Sequence, residues 1–275
     1  MKKFGALVLV SVLFIAAKAD TLSICTYNIR LDVSVDGVNQ WGKRIDKVSE
    51  IMRQNESDFF CVQEALPNQI DDIQGFLPTY NYVGVGRDDG MRKGEFSAIF
   101  YKATAYDMLT NGTFWLSPTP SIPGSKGWDA AITRICTYAK FKSKSSGKIF
   151  WVFNTHFDHI GDTARQMSAL LITKKMKEMA GDEPCLLTGD FNSEPTSSAY
   201  KTILSNTNHS LKDSYIAQTR DCTFTGFEVA SDICKRIDFI FYDKAFKPKS
   251  FAIISKNNGT YYPSDHLPVR AVFSF

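Results

Sequence analysis

Short apolar runs recur along this chain, several of them closed by an abrupt polar cluster. Leu22–Tyr27, Asp58–Val62, Ser97–Tyr101, Ile149–Thr155, Cys185–Thr188, Ile237–Tyr242 and Val269–Phe275 are mostly β-branched or aromatic. Several are apolar nearly throughout, which predicts strands covered on both faces. Two segments between them carry a helical period instead. In Arg44–Gln54 the residues Ile45, Val48, Ile51 and Met52 share one face, and Met167, Leu170, Leu171 and Met176 do so in Thr163–Met179. Trp115–Trp128 holds three prolines and two glycines and reads as a long surface loop. No repeat or Ser/Gly linker divides the remainder, so residues 20–275 read as one α+β domain with packed sheets.

The first residues change that picture only at the N-terminus. Met1-Lys2-Lys3, an apolar run to Ala17 and the small-x-small step Ala17-Lys18-Ala19 predict a secretory signal peptide over residues 1–19. The run is shorter than the roughly 20 residues a spanning helix needs, so no stable membrane insertion is expected. An exported protein, periplasmic or secreted, follows as the expectation. The formal charge of +3 rests on Lys2, Lys3 and Lys18, and without them 29 basic face 29 acidic side chains. Bulk electrostatic attraction to nucleic acid is thereby excluded, and any basic site must be local. Six cysteines stand without a C-x-x-C pair, which argues against a zinc site. Cys25, Cys61 and Cys185 sit in apolar runs and are expected to be buried. Cys222 and Cys234 lie close enough in sequence to bridge, though spacing alone does not decide it.

Chemistry concentrates where the predicted strands stop. Asn28, Gln63-Glu64, His156, Asp190-Phe191-Asn192, Asp238 and Ser264-Asp265-His266 all occupy such junctions. One aspartate at a strand end is usually a turn former. Repetition at so many ends, including two of the four histidines, points to strand ends converging on one rim. Asn28, Glu64, Asp190, Asn192 and Asp265 offer hard oxygen ligands suited to Mg²⁺, Mn²⁺ or Ca²⁺. His156 and His266 can exchange protons near neutral pH, with a carboxylate such as Asp238 to orient a ring. Oxygen-bound metal plus imidazole is equipment for displacement at phosphorus.

The segments Thr26-Tyr27-Asn28, Val62-Gln63-Glu64, Asn154-Thr155-His156, Gly189-Asp190-Phe191-Asn192, Arg236-Ile237-Asp238-Phe239-Ile240 and Ser264-Asp265-His266-Leu267-Pro268 occur in that order. Together they resemble the endonuclease/exonuclease/phosphatase superfamily of DNase I-like proteins. The resemblance implies a four-layered α/β/β/α sandwich and a phosphoesterase dependent on Mg²⁺, with Mn²⁺ as the alternative. It implies Glu64 as principal metal ligand, helped by Asn28 and Asp265. Asp190 and Asn192 would position or activate water and hold phosphate, Asp238 and His266 would form an acid–base dyad, and His156 would bind a phosphate oxygen. Glu95 stands where DNase I-like members keep a carboxylate that pairs with that histidine.

Departures bear on the substrate. Ala65-Leu66 follows the Gln-Glu motif where DNase I-like enzymes carry a minor-groove arginine. Phe114-Trp115-Leu116-Ser117-Pro118 and His156-Phe157-Asp158-His159-Ile160-Gly161 resemble secreted bacterial members nearer the deadenylase-like branch. Arg134 and Arg165 are candidate phosphate clamps, with surface ion pairs as the alternative. Asp158 and His159 would fix their loop or touch substrate, and Trp115 and Trp128 would stack on substrate or anchor the loop. The first expectation is a monomeric phosphodiesterase acting on nucleic acid or nucleotide. A phosphomonoesterase or lipid phosphodiesterase comes second, and a catalytically silent binding protein third.

Overall fold

The computed structural model describes residues 21–206, 209–218 and 221–275, so the expected signal peptide lies outside the described residues. Twelve strands and four α-helices follow along the described chain. They run β1 (Thr21–Asn28), α1 (Trp41–Gln54), β2 (Phe59–Ala65), α2 (Pro67–Phe76), β3 (Tyr80–Val83), β4 (Phe96–Lys102), β5 (Tyr106–Trp115) and β6 (Ile135–Ser143). After these come β7 (Ile149–His156), α3 (Asp162–Ala180), β8 (Cys185–Asp190), α4 (Ser198–Ser205), β9 (Lys212–Asp213), β10 (Asp238–Tyr242), β11 (Lys247–Ile253) and β12 (Val269–Ser274).

Two six-stranded sheets result, ordered β11-β12-β1-β2-β4-β3 and β5-β6-β7-β8-β10-β9. Their facing sides share one core, in which Ile24, Phe59 and Ile99 meet Phe141, Phe150 and Leu186. The outer side of the first sheet packs under α1 and α2 through Val48, Ile51, Ile70 and Ile73. That of the second packs under α3 and α4 through Ile172, Met176 and Ile203. The layers are therefore α/β/β/α, as the resemblance implies. Double coverage is also why the central strands read as unbroken apolar runs.

Each sheet centres on a parallel pair, β1 with β2 and β7 with β8. In both pairs the carboxyl ends reach the same rim, which brings Asn28, Glu64, His156 and Asp190 together. Sheets built with parallel strands present ligand sites at that end. Antiparallel β10 begins there with Asp238 paired to Asp190. Just beneath the rim Gln63 Nε2 donates to Asn154 Oδ1 at 2.7 Å, and Asn154 Nδ2 returns bonds to the Val62 and Ala98 carbonyls. These buried amides tie one sheet to the other directly under the site.

Most elements that the periodicity does not reveal are short or lie at edges, although α2 and the nine-residue inner strand β6, interrupted by Lys140 and Lys142, are missed as well. β11 is largely exposed and reads as the polar run KPKS before Phe251. β5 faces solvent over most of its length. α4 has eight residues, little more than two turns, too few for a pattern to stand out. The expected loop after β5 is present, and its tryptophan is an anchor: Trp115 is buried and its Nε1 donates to the Arg87 carbonyl at 2.6 Å.

Candidate active site

Local backbone geometry places the first ligand candidate. The pairing of β2 with β4 shifts register between Val62 and Ala65, and Glu64 takes φ of 63° in this bulge. A glutamate in the left-handed region is strained, and such strain persists where the surrounding structure over-determines it. The bulge sends Gln63 into the inter-sheet tie and frees Glu64 for the rim. Asn192 (φ 45°) and Arg30 (φ 58°) share this uncommon conformation at the same site. Gly189 meets a different demand. A Cβ there would lie 2.1 Å from the Thr155 carbonyl oxygen, so only glycine lets β7 and β8 bring His156 beside Asp190.

Asn28 joins the two halves. Its Nδ2 donates to Glu64 Oε1 and to Asp190 Oδ2, each at 3.0 Å, and lies 3.4 Å from His266 Nε2. Its oxygen accepts the Arg30 amide. Asn28 thus organises the carboxylates through its NH₂ and becomes a metal ligand only by turning its amide over. Arg30 pairs with Asp36 at 2.9 Å and stands 3.8 Å from Glu64 and 4.0 Å from Asp265. From α1, buried Arg44 donates to the carbonyls of Ile29, Arg30, Leu31 and Pro263, and so fastens the two ligand-bearing loops together from behind.

The acid–base candidates are equally constrained. His266 Nδ1 stands 2.9 Å from Asp238 Oδ2, with its Nε2 3.5 Å from Asp190 Oδ2. Thr223 Oγ1 accepts the Asp238 amide, and the Phe224 ring packs on the imidazole at 4.9 Å. A disulfide between Cys222 and Cys234 staples this segment, while Cys25, Cys61, Cys136 and Cys185 are buried thiols. Asn192 accepts nothing from His156: its Nδ2 donates to the Phe157 carbonyl and faces His156 Nε2 at 3.0 Å.

Protonation follows from these neighbours. Burial raises Asp190 to about 7, with the Asp238 charge adding to the shift and His266 opposing it. Burial alone would depress His266, but Asp238 and Asp190 outweigh it and raise the imidazole well above its ordinary value. His156 is held well below its own, first by burial and then by Arg134 and Arg87. One imidazole is therefore cationic and the other neutral at neutral pH. Burial opposes ionisation of Glu64, yet the Asn28 hydrogen bond and the His266 and Arg30 charges prevail and lower it. Asp265 and Glu95 move upward through burial and the Glu64 charge.

Glu95 is a correction. Instead of pairing with His156, it receives Arg87 Nη1 at 2.6 Å, and the buried His156 Nδ1 has no hydrogen-bond partner. Two arginines compete for the carboxylate on that side, and the nearer one takes it. Arg165 is the second departure. It is absent from the lining of the cleft that holds Glu64 and Asp190. Asp162 and the Asp158 carbonyl hold its guanidinium on the wall of the neighbouring cleft. Arg134, by contrast, is buried in the metal-cleft wall. Arg30, Arg44 and Arg87 escaped the sequence reading; the only local signal was the position of Arg30 two residues after Asn28.

Asp158 is a loop holder. Its carboxylate accepts the Ile132, Ile160 and Gly161 amides and faces Arg134 Nε at 3.7 Å. Burial alone would raise its pKa, but these backbone bonds outweigh it and lower it to about 2. That value lies below the roughly 3.9 of an unfolded aspartate, so the contribution is complete above about pH 5 and is lost as pH falls towards 2. Asp158→Asn should destabilise the fold by about 1–3 kcal/mol at pH 7. Urea unfolding at pH 7 and pH 3 should show that difference shrinking; an equal difference at both would assign the loss to something other than this carboxylate.

Hard oxygens from Glu64, Asp190 and Asp265 crowd one cleft with His156 and His266. Ligand atoms of Glu64, His156 and Asp190 lie within 4.8 Å of one another, as do those of Asp190, Asp238 and His266. Mutual elevation of buried carboxylates is relieved by a divalent cation, so the donor set fits one. No helix among the described residues is long and apolar enough to cross a membrane.

Comparison with known proteins agrees with this geometry. The profile of the Endonuclease/Exonuclease/phosphatase family matches residues 25–266. An endonuclease/exonuclease/phosphatase from Bacteroides vulgatus is 42% identical, with a TM-score of 0.87 over 92% of this chain and 98% of that one. A mannosyl-6-phosphatase from Bacteroides thetaiotaomicron is 38% identical, with a TM-score of 0.86 over 92% of this chain and 100% of that one. The human Nocturnin catalytic domain, at 19% identity and a TM-score of 0.73 over 93% of each chain, shares the fold. Family enzymes are generally divalent-metal-dependent, in keeping with the crowded oxygen donors. With its sandwich, its ordered strand-end motifs and this match along nearly the whole described chain, the protein belongs to the endonuclease/exonuclease/phosphatase family of phosphoester hydrolases.

Proposed function

We propose that this enzyme hydrolyses the phosphate monoester of a small polar alcohol, in the first place a sugar phosphate, with Mg²⁺ or Mn²⁺. The shape of the cleft carries this reading. The metal cleft, of about 300 Å³, shares Glu95, Arg134 and His156 with a cavity of only about 10 Å³. Through His159, Asn192, Phe224 and His266 it joins a polar cleft of about 430 Å³. A phosphoester seated among these residues would extend its alcohol towards the polar side. Asp162, Arg165, Glu194 and Lys235 line that side and supply donors and acceptors for hydroxyl groups. The mannosyl-6-phosphatase at 38% identity supports the same substrate class.

Glu64 and Asp265 would hold the metal, with Asn28 keeping their carboxylates in place. When bound, the metal neutralises phosphate oxygens and acidifies water. Asp190 accepts the proton of the attacking water from its place beside Asn28 and His266. His266, charged and oriented by Asp238, donates to the oxygen that leaves. Neutral His156 and the Asn192 amide hold a terminal phosphate oxygen. We further propose that the chain is exported and acts as a monomer; its disulfide suits an oxidising compartment.

A second reading, the diesterase of nucleic acid or nucleotide that the sequence puts first, draws on Phe224. This half-buried ring lines both clefts and could stack on a base. The deciding assay compares mannose 6-phosphate and p-nitrophenyl phosphate with bis-p-nitrophenyl phosphate, single-stranded RNA and single-stranded DNA, each with metal and with EDTA. Monoester turnover that EDTA abolishes is the expected outcome. Turnover of the diester and a nucleic acid, with monoesters untouched, would replace this reading by the second.

A further inference from the structure

We infer that Arg134 selects dianionic phosphate by binding its third terminal oxygen at the closed end of the metal cleft. The inference deepens the monoesterase reading and rests on it. Arg134 directly precedes β6 and is only 4% exposed. Its Nη2 faces His159 Nδ1 at 3.1 Å, and its Nε stands 3.7 Å from Asp158 Oδ2. Among the described residues neither Nε nor Nη1 has a hydrogen-bond partner. Its one ion pair is the 3.7 Å contact with Asp158, whose oxygens already accept three backbone amides. Glu95, on the same wall, is taken by Arg87 at 2.6 Å.

A guanidinium cannot escape burial by losing its proton. Leaving two of its donors unpaired in the interior is costly unless a ligand completes them. The ligand must be anionic, planar-fork compatible and seated beside Glu64, Asp190 and Asn192, with which Arg134 lines the cleft. Phosphate oxygens meet all three conditions.

The same geometry separates esters by class. A monoester carries three terminal oxygens and nearly two charges; a diester carries two oxygens, one charge and a second substituent. Metal, His156 and Asn192 can serve two oxygens in either ester. The third position lies against Arg134, whose unpaired donors favour a charged oxygen over an esterified one. Arg134 therefore rewards the dianion at the position where a diester would carry its second substituent. His159, through its contact with Arg134, is a positioning residue between this end and the polar cleft.

Arg134→Gln and Arg134→Lys in the full chain test this. Steady-state kinetics on p-nitrophenyl phosphate and bis-p-nitrophenyl phosphate are read beside inhibition by inorganic phosphate and thermal unfolding. For Arg134→Gln, KM for the monoester and Ki for inorganic phosphate should each rise about 10–100-fold, the loss of charge-assisted hydrogen bonds. The monoester-to-diester ratio of kcat/KM should drop at least about 10-fold. Arg134→Lys keeps the charge without the fork and should recover part of the phosphate affinity. Unchanged Ki, or an equal fall on both esters with a lowered Tm, would make Arg134 merely structural and overturn the inference. Wild-type turnover of diesters alone would instead overturn the monoesterase reading before any variant is compared.

Discussion

His266→Ala lowers kcat by at least about 10²-fold while the metal-induced rise in Tm survives, if the imidazole works as placed. The ring sits between two carboxylates, 2.9 Å from Asp238 and 3.5 Å from Asp190, with Phe224 packed on its face. It has no exposed side from which solvent could replace it. Asp238→Asn should cost a similar amount, because an amide no longer holds the ring cationic and oriented. The double variant should lose little more than either single one, since groups acting as a unit are not additive. Removing His266 also strands a buried carboxylate, so some loss of stability is expected. The kcat measurement at a temperature well below Tm separates the two effects. Near-wild-type kcat in His266→Ala would remove the proton route.

Glu64→Gln carries the second large effect, and it is read in two independent ways. With metal, the wild-type protein should gain stability by mass action, about 2.7 kcal/mol at a hundred times Kd. The variant should lose that gain, and kcat/KM at high metal should fall by more than about 10²-fold. Without metal, the variant should be less stable at neutral pH, because Asn28, His266 and Arg30 favour the Glu64 charge and hold its pKa down. Relief of Asp265 and Glu95, which burial and the Glu64 charge push upward, offsets part of that loss. Unfolding followed with Mn²⁺, Mg²⁺ or EDTA decides the matter independently of activity. A Tm rise with metal that is equal in wild type and Glu64→Gln would place the cation elsewhere.

The contrast between Glu64 and Glu95 shows how the site is built. Both are glutamates on neighbouring strand ends of one sheet, and both are largely buried. Glu64 is surrounded by Asn28, the Leu31 amide and His266, which favour its charge. Glu95 meets Glu64 itself and is neutralised by Arg87, so it is withdrawn from the metal. That withdrawal also leaves Arg134 with only the 3.7 Å contact to Asp158 and with two donors unpaired among the described residues, the condition on which its proposed role depends.

Sequence alone determined the strands at the centre of both sheets, because burial on both faces leaves an apolar run that needs no partner to be recognised. It also determined the chemistry at their ends: Asn28, Glu64, His156, Asp190 and Asn192 stand where such a run stops, and Asp238, Asp265 and His266 where one begins. Polar clusters at so many strand ends imply a shared rim even before the strands are ordered. What only the tertiary structure decided is which groups face each other there. Asn28 and Asp190 are 162 residues apart and meet at 3.0 Å, and no local pattern reports such a contact. The same holds for the choice of Arg87 over His156 by Glu95, and for the grip of Arg44 on two loops, one of them at Pro263, 219 residues further along the chain. Periodicity records how one element is buried, whereas pairing and pKa depend on charges brought within a few ångströms by packing. The edge strands β5 and β11 stayed hidden for the complementary reason: their exposed faces carry too few apolar residues to mark a strand, and their neighbours in the sheet define them.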